Sequence, residues 1–244
     1  MVIRAVLFDI YGTLVDISTD EGDWYTYLNL AKYFEYRGLK LNADEVRWFY
    51  FEKIRKILET SSETYPEIDV RQIWREILTE HENPELYKLR LDHGTFLRDI
   101  VVLHRALTRR RLRLFDATYD TLQRIKESYR IGIVSDCQHD YAVPETKILG
   151  ILDFFDAFIM SGEYGFRKPD KRLFQECLSK LGVRPDEAVF AGDDVFRDIQ
   201  GAKSAGLRTV LVLNGHGPQD TSIAKPDFIA DDIGQVPEIV KTLD

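Results

Sequence analysis

Carboxylates, one hydroxyl and one lysine follow apolar runs at several places in the 244-residue chain. Asp9 ends the first run, residues 3–8, just before a glycine turn. The later groups are Ser135-Asp136, Arg167-Lys168-Pro169-Asp170, and Gly192-Asp193-Asp194 with Asp198 four residues further on. An aspartate can act as a nucleophile toward phosphorus or carbon, and a hydroxyl such as that of Ser135 can hold a phosphoryl oxygen.

The four aspartates Asp9, Asp193, Asp194 and Asp198 could not lie together without compensation, because two like charges 4 Å apart repel by about 4 kcal/mol at an effective dielectric constant of 20. Lys168 can balance one of them. A hard divalent cation can balance the rest, and oxygen ligands suit Mg²⁺. Taken singly, each of these residues is more simply explained as a turn or helix-cap residue. Their agreement in chain order favours a shared site.

Alternating strands and helices must position these residues. The apolar runs 131–134, 157–160, 188–191, 209–213 and 228–230 predict strands, and helical segments lie between them. Such alternation predicts a parallel sheet covered on both faces, with ligands at the carboxyl ends of the strands. The first strand must join this sheet, because alone it could not bury its apolar side chains.

Residues 16–113 have little strand character. Helical spacing predicts helices over 24–36, 45–59, 70–81 and 85–107, with Asn42 three residues before Glu45 as a start signal and Gly38 as a stop. The basic run 109–113 is interpreted as a solvated helix end. The fold class is therefore α/β: a Rossmann-like parallel-sheet core (residues 1–15 and 114–244) with an inserted α-helical bundle as a cap domain (residues 16–113).

The motifs as a set resemble the haloacid dehalogenase superfamily of hydrolases. Asp9-Ile10-Tyr11-Gly12-Thr13-Leu14 is similar to its first motif, Val134-Ser135-Asp136 to the second, Lys168-Pro169 to the third, and Gly192-Asp193-Asp194-Val195-Phe196-Arg197-Asp198 to the fourth. The helical insert has the position and length of that family's helical cap.

The resemblance implies a role for each of these residues. Asp9 would form a covalent aspartyl intermediate, and Lys168 would position Asp9 and bind the transferring group together with Ser135. Asp136 and Thr13 complete the expected substrate-binding set. In the implied Mg²⁺ site, the ion is bound by the side chains of Asp9 and Asp193 and by the backbone carbonyl of Tyr11. Asp194 and Asp198 would orient the metal shell.

Tyr11 departs from the phosphatase pattern, in which an aspartate at this position acts as general acid and base. A phenol titrates near pH 10 and is a weak base at neutral pH. Tyrosine here resembles the 2-haloacid dehalogenases, which need no metal, whereas the three aspartates of the fourth motif resemble the phosphatases. The arginine that binds carboxylate and halide in dehalogenases has no clear counterpart; Arg37, Arg47 and Arg55 are candidates.

Three functions therefore stay open. We expect a Mg²⁺-dependent phosphohydrolase that acts on a small phosphorylated metabolite through an aspartyl phosphate, with Asp20 or Glu21 as possible substitutes for the missing base. The alternatives are a 2-haloacid dehalogenase-like enzyme that forms an aspartyl ester, and a weakly active relative that binds a phosphorylated ligand. The predicted catalytic residues are Asp9, Lys168, Ser135 and Tyr11.

Composition limits the partners. The formal net charge is −8, which argues against nucleic acid and anionic membranes as partners. Two cysteines, Cys137 and Cys177, form no disulfide framework, and the N-terminus runs directly into the first strand. We therefore expect a cytoplasmic protein, monomeric or homodimeric, whose partner is a small phosphate ester or 2-haloacid.

Overall fold

Parallel strands form a central six-stranded sheet in the order β5-β4-β1-β6-β7-β8, and β2 and β3 form a separate two-stranded sheet. The bounds are β1 (Ala5–Phe8), β2 (Val15–Thr19), β3 (Arg109–Leu114), β4 (Arg130–Ser135), β5 (Ala157–Met160), β6 (Ala188–Gly192), β7 (Arg208–Val212) and β8 (Phe228–Ala230). The computed structural model describes residues 2–81, 93–213, 215 and 217–243. Contacts divide the chain into two units, Met1–Ile17 with Arg111–Asp244, and Ser18–Arg110.

Helices cover both faces of the sheet. The α-helices among the described residues are α1 (Trp24–Tyr36), α2 (Ala43–Thr60), α3 (Val70–His81), α4 (His93–Thr108), α5 (Thr118–Lys126), α6 (His139–Ile148), α7 (Lys171–Leu181), α8 (Gly201–Ser204) and α9 (Val236–Lys241). Alternate residues of β1 enter opposite layers: Val6 and Phe8 belong to one core cluster, and Leu7 packs in the other with Phe174 of α7. Because both faces are covered, β1 is a continuous apolar run.

The helical unit is built from α1 to α4. The predicted start signal before α2 is confirmed as a capping box, in which Asn42 and Glu45 exchange side-chain and backbone hydrogen bonds. Gly38, with φ of 82°, follows the end of α1. The buried centre of the unit is aromatic: Tyr50 stacks on Trp74, with ring centroids 5.0 Å apart. The 85–92 part of the predicted fourth helix lies outside the described residues.

The basic run 109–113 is not a helix end, so that interpretation is wrong. It forms β3, which pairs with β2. Arg111 and Arg113 are two residues apart and therefore point to the same face of the strand, where both contact the buried carboxylate of Asp16, at 2.7 Å and 2.9 Å. The side chains that repeat with period two in this strand are charged rather than apolar. A search for alternating apolar residues therefore does not detect it. Helix α6 was also not predicted.

The α/β class with a parallel-sheet core and helical insert is confirmed by this topology. The predicted strands 131–134, 157–160, 188–191, 209–213 and 228–230 match β4 to β8 to within about a residue, a small error for boundaries read from sequence. Among the described residues, no helix combines the length and apolarity needed to cross a membrane.

Candidate active site

Lys168 lies at the centre of the site. Its Nζ donates hydrogen bonds to Asp9 Oδ1 and Asp198 Oδ1, both at 2.6 Å, and all three side chains are buried. Burial alone would lower the pKa of Lys168, but the carboxylates of Asp198 and Asp9 outweigh it and raise the pKa above its usual range. The lysine is therefore a permanent cation shared by two carboxylates.

Three buried carboxylates surround one point. Oxygen atoms of Asp9, Asp193 and Asp198, one from each, lie within 4.8 Å of one another. Burial raises the pKa of Asp198 to about 7, with Lys168 opposing the shift and the charge of Asp9 adding to it. Burial and the charge of Asp9 likewise raise the pKa of Asp193. With one lysine for three carboxylates, the site has an excess of negative charge and could hold a metal ion.

Neighbouring strand ends bring these carboxylates together. Asp9 follows β1 and Asp193 follows β6, and the two strands pair in register with Phe8 opposite Ala191. Glycine is required where the first motif turns: Gly12 has φ of 95°, and a Cβ there would lie 2.4 Å from Asp193 Oδ2. The sequence Asp-x-x-Gly thus allows the backbone after Asp9 to approach Asp193 closely.

Two donors fix the Asp193 carboxylate. Thr13 Oγ1 donates to Oδ1 at 3.2 Å, and the backbone N–H of Gly217 donates to Oδ2 at 2.8 Å. Thr13, which was predicted to bind substrate, is in contact with Asp193. Whether Thr13 also contacts substrate stays a prediction.

Asp194 makes different contacts from the other aspartates of its motif. It precedes the π-helical turn Val195–Gln200 as its N-cap residue. Its Oδ1 accepts a hydrogen bond from the backbone N–H of Arg197 at 2.8 Å, and its Oδ2 accepts one from Arg197 Nε at 2.7 Å. Asp194 is not one of the three converging carboxylates, and its predicted part in orienting a metal shell stays a prediction.

The second motif borders the same cavity. Ser135 is buried at the end of β4, and Asp136 Oδ1 accepts a hydrogen bond from the backbone N–H of Lys168 at 2.9 Å. This bond ties the second motif to the third. A cavity of about 60 Å³ is lined by Asp9, Tyr11, Ser135, Asp136, Lys168, Asp193, Arg197 and Asp198.

The Tyr11 hydroxyl is engaged by a carboxylate that the sequence analysis missed. It donates a hydrogen bond to Glu145 Oε2, and Glu145 is buried on α6. The available signal was one acidic residue among the apolar side chains of residues 141–146. To use that signal, α6 had to be predicted first. Arg197 was also missed as a cavity residue, although its place three residues after Asp194 indicated a pair at a helix start.

Most of the residues singled out from the sequence thus meet at one cavity. Two motif residues outside its lining, Thr13 and Asp194, contact lining residues directly. The candidates for a replacement base and for a dehalogenase-type arginine are not among its lining residues and belong to the unit Ser18–Arg110: Asp20, Glu21, Arg37, Arg47 and Arg55. Their catalytic, binding and metal roles, including that of the Tyr11 carbonyl, stay predictions.

Comparison with known proteins identifies the family. Residues 3–206 match a model described as haloacid dehalogenase-like hydrolase. Glyceraldehyde 3-phosphate phosphatase of Methanothermobacter thermautotrophicus is 34% identical over 134 residues, which are 53% of this chain and 59% of that protein. Phosphoserine phosphatase of Thermus thermophilus is 41% identical over 87 residues, 36% of this chain and 34% of that protein. The chain thus matches between a third and three fifths of the length of these curated relatives.

A solved 2-haloacid dehalogenase from Pseudomonas syringae pv. Tomato DC3000 is similar over 99% of this chain and 100% of that chain, with a TM-score of 0.70 and 19% sequence identity. At this identity the likeness shows the fold alone. The family match covers most of the sequence and includes all four motifs. The chain therefore belongs to the haloacid dehalogenase-like hydrolase family and is a hydrolase.

Proposed function

We propose that this hydrolase is a Mg²⁺-dependent phosphatase that acts on a small phosphate ester through an aspartyl phosphate on Asp9. The observation that carries the proposal is the buried cluster of Asp9, Asp193 and Asp198 around a single lysine. The names of the two curated relatives described above, both phosphatases, support it. The domain assignment belongs to the same proposal, with residues 1–15 and 114–244 as the catalytic core and residues 16–113 as the helical cap.

The residues present fit a magnesium ion. The donor set consists only of carboxylate oxygens, which Mg²⁺ prefers, and Lys168 leaves part of its negative charge unbalanced. Asp9, Asp193 and Asp198 would hold the ion, with the Tyr11 carbonyl as a further ligand. When bound, the ion would neutralise charge between Asp9 and the incoming phosphate.

The chain's own residues would carry out the reaction as follows. Lys168 fixes Asp9 Oδ1 at 2.6 Å, so the second oxygen can attack phosphorus. A bond forms between Asp9 and phosphorus while the bond from phosphorus to the leaving oxygen breaks. Ser135, which lines the cavity, would hold a phosphoryl oxygen. Water then attacks phosphorus, the bond between Asp9 and phosphorus breaks, and inorganic phosphate leaves with the Asp9 carboxylate restored. The leaving oxygen takes up a proton and the attacking water gives one up by exchange with solvent, because Tyr11 stands at the position of the acid–base aspartate.

A dehalogenase-like activity is the second candidate, and Tyr11 is the observation that favours it. The Tyr11 hydroxyl donates a hydrogen bond to Glu145, which fixes the tyrosine at the cavity wall. Phosphatases of the family have an aspartate at this position. In that reaction Asp9 would displace halide from carbon and form an ester that water hydrolyses. The negative charge of Asp193 and Asp198 disfavours a carboxylate substrate when no cation is bound.

The test is hydrolysis of p-nitrophenyl phosphate and of 2-chloropropionate, each with Mg²⁺ and with EDTA. We expect phosphate release that needs Mg²⁺ and is lost in Asp9→Asn. Tyr11→Asp should raise the rate, because a missing general acid and base typically costs about 10²- to 10⁴-fold; Tyr11→Phe is the matched control, because it removes only the hydroxyl. Chloride release in EDTA without phosphatase activity would refute the phosphatase proposal, and an inert but folded Tyr11→Asp would refute the acid–base argument.

A further inference from the structure

Arg197 is a cation at the cavity whose orientation is fixed by its own helix. Asp194 accepts hydrogen bonds from both the backbone N–H and the Nε of Arg197, at 2.8 Å and 2.7 Å. The Asp194 carboxylate therefore restrains both the backbone of Arg197 and one edge of its guanidinium group. An arginine held in this way loses little further entropy when it binds an anion.

The other edge of the guanidinium has no hydrogen-bond acceptor among the residues described for this chain. Its Nη1 lies 4.0 Å from Asp136 Oδ2, which is beyond hydrogen-bonding distance. Asp136 Oδ2 is itself buried and makes no hydrogen bond to any described residue. Arg197 nevertheless lines the same cavity as Asp9, Ser135 and Lys168. Arg197 thus borders the space beside the nucleophile, and with 47% of its side chain exposed its Nη donors are open to an incoming anion.

Charge makes these donors significant. The Lys168 ammonium is already bonded to Asp9 and Asp198, so little of its charge is available for an incoming anion. A phosphate monoester carries up to two negative charges and must enter a cavity lined by four aspartates, Asp9, Asp136, Asp193 and Asp198. Arg197 is the other cation that lines this cavity, and its planar pair of Nη donors matches two phosphoryl oxygens.

We propose that Arg197 binds the phosphate group of the substrate through Nη1 and Nη2, beside Ser135, and selects phosphate monoesters as a class. This inference rests on the proposed function for its substrate class. It assigns to an arginine of the fourth motif a direct contact with substrate, and to Asp194 the task of orienting that arginine.

Arg197→Gln and Arg197→Lys test the proposal in the full chain. Measurements are KM and kcat for p-nitrophenyl phosphate, the Kd of inorganic phosphate by calorimetry with Mg²⁺ present, and the Mg²⁺ concentration that gives half-maximal activity. We expect Arg197→Gln to raise both KM and the phosphate Kd by about 10- to 100-fold, the value of a lost hydrogen bond to a charged group. Arg197→Lys should recover part of the loss, and the Mg²⁺ requirement should not change.

Arg172→Gln is the matched control. Arg172 also follows an N-cap aspartate and contacts it through Nε at 3.0 Å and Nη2 at 2.7 Å, both to Asp170, but it does not line the cavity. We expect its KM and phosphate Kd to equal those of the wild type. A change in Arg172→Gln as large as in Arg197→Gln would show a general effect of arginine loss and overturn the proposal.

The remaining outcomes separate this proposal from the proposed function. If Arg197→Gln leaves KM and the phosphate Kd unchanged, or alters them only in proportion to a changed Mg²⁺ requirement, Arg197 is not a phosphate ligand. If the wild type binds phosphate, loses that binding in Arg197→Gln, and turns over no ester, the phosphate site stands and the phosphatase activity fails. If the wild type neither binds nor hydrolyses, both fail.

Discussion

Replacing Asp193 by asparagine should make the metal-free protein more stable while abolishing its activity. The oxygens of Asp9, Asp193 and Asp198 lie within 4.8 Å of one another, and at that separation two unit charges repel by about 3.5 kcal/mol at an effective dielectric constant of 20. Asp193 takes part in one such repulsion with Asp9 and in a weaker one with Asp198, whose pKa of about 7 leaves it partly protonated at neutral pH. Asparagine removes both and keeps nearly the same shape.

Two effects reduce the gain. Lys168 already offsets part of the negative charge. The Asp193 carboxylate accepts hydrogen bonds from Thr13 and from Gly217 on different oxygens. The amide oxygen of asparagine can accept from Gly217 and its NH2 can donate to the Thr13 hydroxyl, but both bonds lose a charged acceptor, at about 1 kcal/mol in all. We therefore expect a net increase of about 1–3 kcal/mol in the free energy of unfolding, within the range of single substitutions.

The assay is urea denaturation of both proteins, in EDTA and at saturating Mg²⁺. Asp193→Asn should be the more stable in EDTA. Magnesium at 100 times its Kd should stabilise the wild type by about 2.7 kcal/mol and the variant by less. The difference between their free energies of unfolding should therefore narrow or change sign. The control is Asp186→Asn, an exposed aspartate paired with Arg184, which should change stability by at most about 0.5 kcal/mol in either buffer. A variant less stable than the wild type in EDTA, together with no effect of Mg²⁺ on the wild type, would refute the reasoning.

Two further predictions concern stability. Burial lowers the pKa of His104 to about 3. Because this histidine binds a proton near pH 6.5 in the unfolded chain and not in the folded chain, it should lower the free energy of unfolding by about 1.4 kcal/mol per pH unit below pH 6.5. The raised pKa of Asp198, about 7, acts in the opposite direction, so the measurement is the difference in slope between the wild type and His104→Gln, from urea denaturation at pH 7.5, 6 and 5; equal slopes would exclude a contribution from His104. A Cβ at Gly132 would lie 2.5 Å from Cys177 Sγ, so Gly132→Ala should lower the melting temperature through a loss of about 1–3 kcal/mol. Gly22→Ala, whose nearest atom is 3.5 Å away, should leave it unchanged, and a harmless Gly132→Ala would show that β4 and α7 can separate at no cost.

The meeting of Asp9 and Asp193 at one edge of the sheet could be predicted because parallel strands share a direction. Asp9 and Asp193 each follow a buried apolar run, and the sheet brings such positions to one edge whatever the order of the strands. Lys168 was expected at the same edge because its positive charge compensates the charges of the two carboxylates. The helical insert was predictable from apolar spacing and from the Asn42–Glu45 start signal.

Contacts distant in sequence were decided only by the tertiary structure. Glu145 lies 134 residues from Tyr11, and the hydrogen bond between them depends on how α6 packs. Nothing in the sequence around Tyr11 indicates that packing. The basic run 109–113 forms a strand in which Arg111 and Arg113 both pair with Asp16, about 95 residues earlier in the chain. Periodicity reports which face of an element is apolar, so it determined the sheet, the helices and the edge that holds the carboxylates. It carries no information on which polar side chains meet across that edge, because those pairings depend on three-dimensional distances between residues that are far apart in the chain.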